Sequence, residues 1–326
     1  MSYRVLDLFC GCGGFTSGLV SAGFTVIAGI DVWEPAIQSY QANFPEHLAL
    51  CADLRTLSPE QFYTTYLSKK LKKDEGIDVI VGGPPCQGFS NAGKRAPDDP
   101  RNSLFMNFAQ YLSFFKPKAF LMENVIGILS AKTPTGKKAI EEITEVLSEG
   151  YNIVISKLYA SDFGVPQNRR RVIIIGIRKD LFIAPTEPTP LYPLKDRPAV
   201  GAILLPKEEV GKEYYLSSKA LEGIKRRKEQ NQKAGKGFGA QFLDLAKPCY
   251  TISARYWKDG YDALVKYSEE EVRRLTLLEL KRVQGLPDNF LLRGTKQEQY
   301  TQLGNAVAGK FSYYLGLHLL KVLEEC

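Results

Sequence analysis

Residues 77–90 read Ile77-Asp78-Val79-Ile80-Val81-Gly82-Gly83-Pro84-Pro85-Cys86-Gln87-Gly88-Phe89-Ser90. The apolar run, bounded by turn residues, reads as a strand buried on both faces, the kind found inside a parallel sheet. Gly82 and Gly83 end the strand, and Pro84 and Pro85 fix the backbone as it leaves. Cys86 is thereby expected on a stiff support at the carboxyl edge of a sheet, where open α/β sheets bind ligands. A lone cysteine is more often a buried, inert side chain. The positions of the other polar residues overturn that reading here.

Toward the N-terminus, residues 4–9 read as a first strand. Cys10-Gly11-Cys12-Gly13-Gly14 is a glycine-rich turn that feeds a helix over 15–22. Such a turn lets a ligand approach the backbone and aims helix N–H groups at it. A second strand over 25–30 ends in Asp31. An acid about twenty positions after a glycine turn is the usual partner of ribose hydroxyls. Loop, strand and acid together point to a nucleoside-bearing cofactor. A helix cap before Pro35 is the alternative for Asp31. The turn is not G-x-G-x-x-G, so a pyrophosphate-binding NAD or FAD site fits poorly. A short strand over 48–52 precedes Asp53, and 58–73 reads as a solvated helix.

Toward the C-terminus, residues 91–102 form a polar loop of the active-site-lid type. A helix over 104–115 leads to a strand over 119–122 that ends at Glu123-Asn124-Val125. Glu123 thus falls on the same edge as Cys86, Asp31 and Asp53, and four polar groups on one edge are better explained by a site than by chance. A helix over 137–149 and a strand over 153–158 follow. Then come Pro166-Gln167-Asn168-Arg169-Arg170-Arg171 and a strand over 172–176. Adjacent arginines contact phosphate or solvent, but two of them spaced by one residue can also point the same way at a strand entry.

From Pro185 the prolines at 185, 188, 190, 193 and 198 mark a boundary. Beyond it lie a charged helix over 218–232, glycine-, aromatic- and basic-rich segments over 235–239 and 251–264, and an amphipathic helix expected over 269–283. A long apolar helix at the end, through Leu323, is placed to pack back on the first domain. The chain has 326 residues, long for a single core. Its 44% apolar and 24% charged residues are those of a soluble globular protein, and no apolar run is long enough to span a bilayer. Six unevenly spaced cysteines form no disulfide framework, which indicates a reducing, cytosol-like compartment. With two histidines and no second cysteine pair, no metal is expected. A net charge of +7 mildly favours a polyanionic partner.

With these residues laid out, the chain resembles the DNA (cytosine-5)-methyltransferase family of bacterial restriction-modification type over almost its whole length and in the family's order. Asp7-Leu8-Phe9-Cys10-Gly11-Cys12-Gly13-Gly14 resembles the cofactor loop, Gly83-Pro84-Pro85-Cys86-Gln87 the nucleophile motif, and Glu123-Asn124-Val125 the acid motif. Gln167-Asn168-Arg169-Arg170-Arg171 is similar to a Gln-x-Arg-x-Arg motif. Arg274-Leu275-Thr276 with Glu279, Arg282, Gln284-Gly285 and Pro287-Asp288 resembles the motif that organises a recognition lobe, and Gly304-Asn305-Ala306-Val307 the final motif. Cys10, Leu286 and Ala308 stand where alanine, phenylalanine and proline are usual, and none of these departures removes a chemical group.

The resemblance implies an α/β fold: a Rossmann-like methyltransferase domain over 1–184, completed by 300–326, with a smaller target-recognition domain and hinge over 185–299. It implies S-adenosyl-L-methionine as donor and S-adenosyl-L-homocysteine as product. Phe9, Gly11, Gly13, Gly14, Asp31, Val32, Asp53, Leu54, Pro84, Leu104, Asn305 and Val307 would hold that cofactor. It makes Cys86, Glu123, Arg169 and Arg171 catalytic. The implied partner is double-stranded DNA, touched by Gln87, Ser90, Lys94, Arg95, Arg101, Lys236, Arg255, Tyr256, Lys258 and Asp259. The segments over 237–239 and 251–256 resemble readers of CC…GG sites. Further implications are a monomer, no membrane association, a location on cytoplasmic DNA, and a cognate restriction endonuclease acting at the same site without a stable complex. Rival readings are a tRNA cytosine-5 methyltransferase, a catalytically inactive DNA-binding subunit, and a nicotinamide oxidoreductase.

Overall fold

The computed structural model describes residues 2–69, 71, 75–85, 104–133, 136–233, 235, 240–259 and 263–325. Its centre is a seven-stranded sheet in the order β3-β2-β1-β4-β5-β7-β6. The strands are β1 (Arg4–Leu8), β2 (Thr25–Asp31), β3 (Leu48–Cys51), β4 (Val79–Gly82), β5 (Ala119–Val125), β6 (Tyr151–Tyr159) and β7 (Arg170–Arg178). β1 to β5 run parallel, and β7 lies antiparallel between β5 and β6.

The alternation of side chains explains why β4 reads as an unbroken apolar run and β1 as one interrupted by Asp7. Leu6, Leu8 and Ile80 enter a core shared with Phe62, Phe108 and Phe120, whereas Val5, Val79 and Val81 enter one shared with Phe15, Leu19, Phe311 and Leu315. The first core lies under α3 (Pro59–Phe62), α4 (Leu104–Phe115) and α5 (Ala139–Ser148), and the second under α1 (Gly14–Ala22) and the C-terminal helix. A strand covered on both faces has no polar side to show. The order reverses between β1 and β4, which opens a crevice at their carboxyl ends, and it is there that Phe9 and Gly83 leave the sheet.

The helix expected over 58–73 is shorter: Ser58 starts α3 with a reciprocal Gln61 capping box, and the chain then widens into a π-turn over Tyr63–Leu67. The helix expected over 269–283 is two elements. Residues Val272–Arg274 form β9, paired with β8 (Leu264–Lys266), and only Leu277–Val283 is helical (α8). Thr276 is extended and caps α8 with Glu279, so the helix cannot begin earlier. Arg273 is fully buried and forms a two-fork pair with Glu279, Nη1 to Oε2 and Nη2 to Oε1, each at 2.8 Å.

The chain also forms α2 (Glu34–Asn43), which links β2 to β3, α6 (Ser218–Lys233) and the one-turn α7 (Tyr256–Asp259); α9 (Lys296–Asn305) and α10 (Gly309–Leu323) close it. The α10 helix packs on α1, as the apolar C-terminus leads one to expect. Gly18 makes the contact close, because a Cβ there would lie 2.3 Å from the Gly309 carbonyl oxygen. Among the described residues no helix is long and apolar enough to cross a membrane.

Candidate active site

The crevice is lined by what each strand carries at its carboxyl end. After β1, Phe9 adopts a left-handed backbone (φ 60°), a conformation uncommon for an aromatic residue and often found at ligand-binding turns. Gly11 follows with φ 54°, and its N–H donates to Asp31 Oδ2 at 2.9 Å. A Cβ at Gly11 would meet no atom of the described residues beyond its chain neighbours within 4 Å. Gly13 and Gly14 have a different reason to be glycine. A Cβ at Gly13 would strike the Phe44 ring at 2.5 Å, and one at Gly14 the Val307 carbonyl at 2.3 Å. These two glycines serve the packing of the turn against α2 and the 306–308 segment.

Asp31 does not cap α2, whose N-cap is Trp33. Its second oxygen accepts from the Trp33 N–H at 2.9 Å, so the carboxylate braces both the glycine turn and the exit of β2. Burial raises Asp31 from the usual carboxylate value, opposed by its backbone donors. Val32 beside it is 64% exposed, an apolar side chain at the crevice mouth. Asp53, past β3, pairs with Arg55, which holds it below the usual carboxylate value. Leu54 and Leu104 are core residues; Val307 is half-buried and Asn305 exposed.

On the other side of the switch point, Asn124 Nδ2 donates to the Pro84 carbonyl at 3.1 Å. That bond ties the end of β5 to the turn that carries Cys86. Glu123 is 9% exposed, and its Oε2 would lie 3.4 Å from a Cβ on Gly83. Its Oε1 is 2.7 Å from Arg171 Nε. The antiparallel course of β7 makes this possible: the beginning of β7 reaches the crevice, and Arg171 stands diagonal to Glu123 across the ladder. Arg169 and Arg171 point inward and Arg170 outward over Tyr159, the alternation expected at a strand entry.

Arg169 does not reach the crevice. It is 3% exposed, and its Nη1 donates to the carbonyls of Ile252 and Gly304 at 3.2 and 3.1 Å. Burial and the neighbouring Arg171 lower it from the ordinary guanidinium value, and Glu123 opposes them. It belongs to a clamp with Gln167, which the sequence reading quoted but left without a role. Gln167 Nε2 donates to Val283 O and Gln284 Oε1, its Oε1 accepts from Ile252 N, and Gln284 Nε2 donates to Leu303 O. These bonds fasten the sheet to α8, α9 and the 249–252 segment. Asn124, the other missed residue, lay in the same motif as Glu123. In both cases the signal was an amide that must find partners if buried.

Among the expected DNA readers, Arg255 and Lys258 are exposed at the start of α7. Tyr256 is a correction: it is 2% exposed, donates to Ala263 O and accepts from Leu275 N, so it is a core residue. Its one hydroxyl proton is spent on a buried carbonyl, so it has none to donate to a base. Cys86, Gln87, Ser90, Lys94, Arg95, Arg101 and Lys236, and the side chain of Asp259, lie outside the described residues.

The family model for C-5 cytosine-specific DNA methylase matches residues 3–321. The type II methyltransferase M1.ScrFI of Lactococcus lactis subsp. cremoris is 34% identical over 99% of this chain and 79% of its own length. M.SsoII of Shigella sonnei is 35% identical over 94% and 77%. A crystal structure from E. coli of a prophage-encoded protein described as a DNA modification methyltransferase superposes with a TM-score of 0.73 at 27% identity, covering 99% of this chain and 100% of that one.

Proposed function

The chain belongs to the C-5 cytosine-specific DNA methylase family and is a DNA cytosine-5-methyltransferase of restriction-modification type; from that premise we propose that it transfers methyl from S-adenosylmethionine to a flipped cytosine through a bond from Cys86 to C6. The Glu123–Arg171 pair at 2.7 Å, set beside Gly83 where the chain turns toward Cys86, carries this reading.

Cytosine C5 is a poor nucleophile. Addition of a thiolate at C6 breaks the ring conjugation and makes C5 enamine-like. A free thiol has a pKa of about 8.5, so Cys86 benefits from positive charge nearby, which Arg171 supplies. As C6 is attacked, negative charge builds toward N3 and O2. Glu123 donates a proton to N3, and Arg171 hydrogen-bonds O2. After methylation the C5 proton leaves, to water, the Cys86 thiolate departs, and N3 returns its proton to Glu123. Asn124 and Pro84 keep the nucleophile turn in register with Glu123. Arg169 supports Arg171 indirectly, through the clamp.

The donor set fits a cationic nucleoside. Gly11 has space beside it among the described residues, flanked by Phe9, Asp31 and Val32. Asp31 would hold the ribose hydroxyls, Asp53 the adenine amino group and Phe9 the adenine face, while Gly11 would leave room for the rest of the ligand. Bound there, the cofactor supplies an electrophilic methyl group on sulfur. The base is unreachable in a stacked duplex, so it is flipped into the crevice. The loop over 87–102 closes on the DNA, and the 185–299 lobe reads the major groove with Arg255, Lys258 and Lys236 among its contacts. The enzyme acts as a monomer beside a separate endonuclease of the same specificity.

Tritiated methyl transfer to duplex DNA and to tRNA tests the substrate. Label is expected in DNA; label in tRNA alone would overturn the assignment. Bisulfite sequencing of a plasmid from expressing cells should show protected cytosines within one short sequence, and none with Cys86→Ser.

A further inference from the structure

Beneath the glycine turn runs a chain of polar side chains that the proposed reaction does not use. Asp7 lies in β1 with 1% of its surface exposed. Its Oδ2 accepts from the Thr16 hydroxyl on α1 at 2.6 Å, and its Oδ1 is buried with no hydrogen-bond partner among the described residues. Thr16 Oγ1 is 3.2 Å from the Tyr40 hydroxyl on α2, and that hydroxyl is 3.2 Å from His47 Nδ1. Glycines make room for it: a Cβ on Gly29, in the middle of β2, would lie 2.4 Å from Tyr40 Cζ. The Tyr40 ring also supports the turn, because a Cβ on Gly13 would lie 3.1 Å from it. His47 stacks on Phe44 and, with Glu46, lines a surface cavity of about 400 Å³, so the outer end of the chain reaches solvent.

We propose that Thr16 and Tyr40 are positioning residues for the cofactor turn, and that their hydroxyls couple the protonation of Asp7 to the tautomer of His47. Each hydroxyl has one proton, so the chain has two consistent directions. With Asp7 protonated, Asp7 donates to Thr16, Thr16 to Tyr40, and Tyr40 to His47 Nδ1, while Nε2 carries the imidazole proton. With Asp7 ionised, His47 Nδ1–H donates to Tyr40, Tyr40 to Thr16, and Thr16 to the carboxylate. The change releases one proton, from Nε2 to solvent, and every hydroxyl keeps one. Either direction leaves the three elements under the turn bonded together, and a chain broken in the middle does not.

The charged and titratable groups around it are Asp31 from β2, Cys10 and Cys12 from the turn, and Glu46 beside His47. Burial, with a smaller push from Asp31, raises Asp7 to about 7, against the Thr16 hydrogen bond. Burial lowers His47, opposed by Glu46, and protonation, which loads both ring nitrogens, is distinct from a tautomer change, which moves one proton between them.

The positioning part rests on the cofactor reading above; the coupling part does not. His47 and His318 are the only histidines in the sequence, so imidazole nitrogen NMR of the full chain, with His318→Gln for assignment, reads the tautomer directly. Between pH 6 and 8 the favoured proton site of His47 is expected to move from Nε2 to Nδ1, and Asp7→Asn or Tyr40→Phe abolishes the change. A His47 tautomer that is constant over this range, or that still changes in Tyr40→Phe, overturns the coupling. Calorimetry tests the positioning. Thr16→Val and Tyr40→Phe, checked for native melting, should weaken S-adenosylmethionine and S-adenosylhomocysteine binding roughly tenfold, the worth of one buried hydrogen bond, and Thr16→Ser should restore it. Unchanged affinity in folded variants refutes the positioning role, whereas wild-type protein that binds neither ligand refutes the cofactor reading.

Discussion

Two arginines two positions apart do different work. Arg171 approaches Glu123 in the crevice, whereas Arg169 donates from Nη1 to the carbonyls of Ile252 and Gly304. Substitution should separate them. Arg171→Ala should lower kcat with little change in melting temperature. Arg169→Met leaves two buried carbonyls without that donor, at about 1–3 kcal/mol each, so the melting temperature should fall by several degrees. If Arg169→Met melts like wild type yet loses kcat, its role is chemical. Glu123→Gln keeps the shape but not the acid, and turnover should fall by roughly 10² or more while DNA binding persists; unchanged turnover removes Glu123 from the chemistry. Asp7 gives a pH prediction. Its native value, raised by burial to about 7, exceeds the ordinary 3.8. Between these values the native state holds the proton more tightly than the unfolded chain does, so this stabilisation is full below about pH 4 and lost as pH rises through about 7. Urea midpoints at pH 5.5 and 8 should therefore differ less for Asp7→Asn than for wild type, and equal differences would refute it.

At the scale of elements, the strands were legible because their faces are both buried. Val79, Ile80 and Val81 have no exposed surface, and the sequence shows it as an unbroken apolar run. The direction of β7 was not legible, since periodicity carries no sign, yet that direction brings Arg171 to the crevice. The helix misread over 269–283 has a clear cause. Charges over 269–274 look like a solvated helix face, but Arg273 is buried by its pairing with Glu279. Tyr256 was misread in the same way, as a core aromatic inside a short polar segment. Glu279→Ala should cost about 3–5 kcal/mol, because it strands a buried guanidinium. It also removes the capping carboxylate from the Thr276 N–H. Chemical denaturation would show this, and a loss under 1 kcal/mol would mean that the pair is not what orders β9 and α8.

For the whole molecule, the residues that mark the candidate site were legible because the turns after β1 and β4 carry glycine and proline, β2 ends at the acid Asp31, and β5 carries the acid Glu123 near its end. The clamp was not, because Gln167, Gln284 and Leu303 meet only in three dimensions. The sheet supplies the crevice, and the clamp fastens α8, α9 and the 249–252 segment to it. The proposed chemistry turns on one transient carbon–sulfur bond. Its direct test is mass spectrometry of the protein after incubation with S-adenosylmethionine and a duplex that it methylates, with 5-fluorocytosine at the target position. Fluorine at C5 cannot leave as a proton does, so the account predicts a stable protein–DNA adduct mapped to Cys86 and absent from Cys86→Ser. A methylated duplex with no adduct, or an adduct that survives Cys86→Ser, would contradict it.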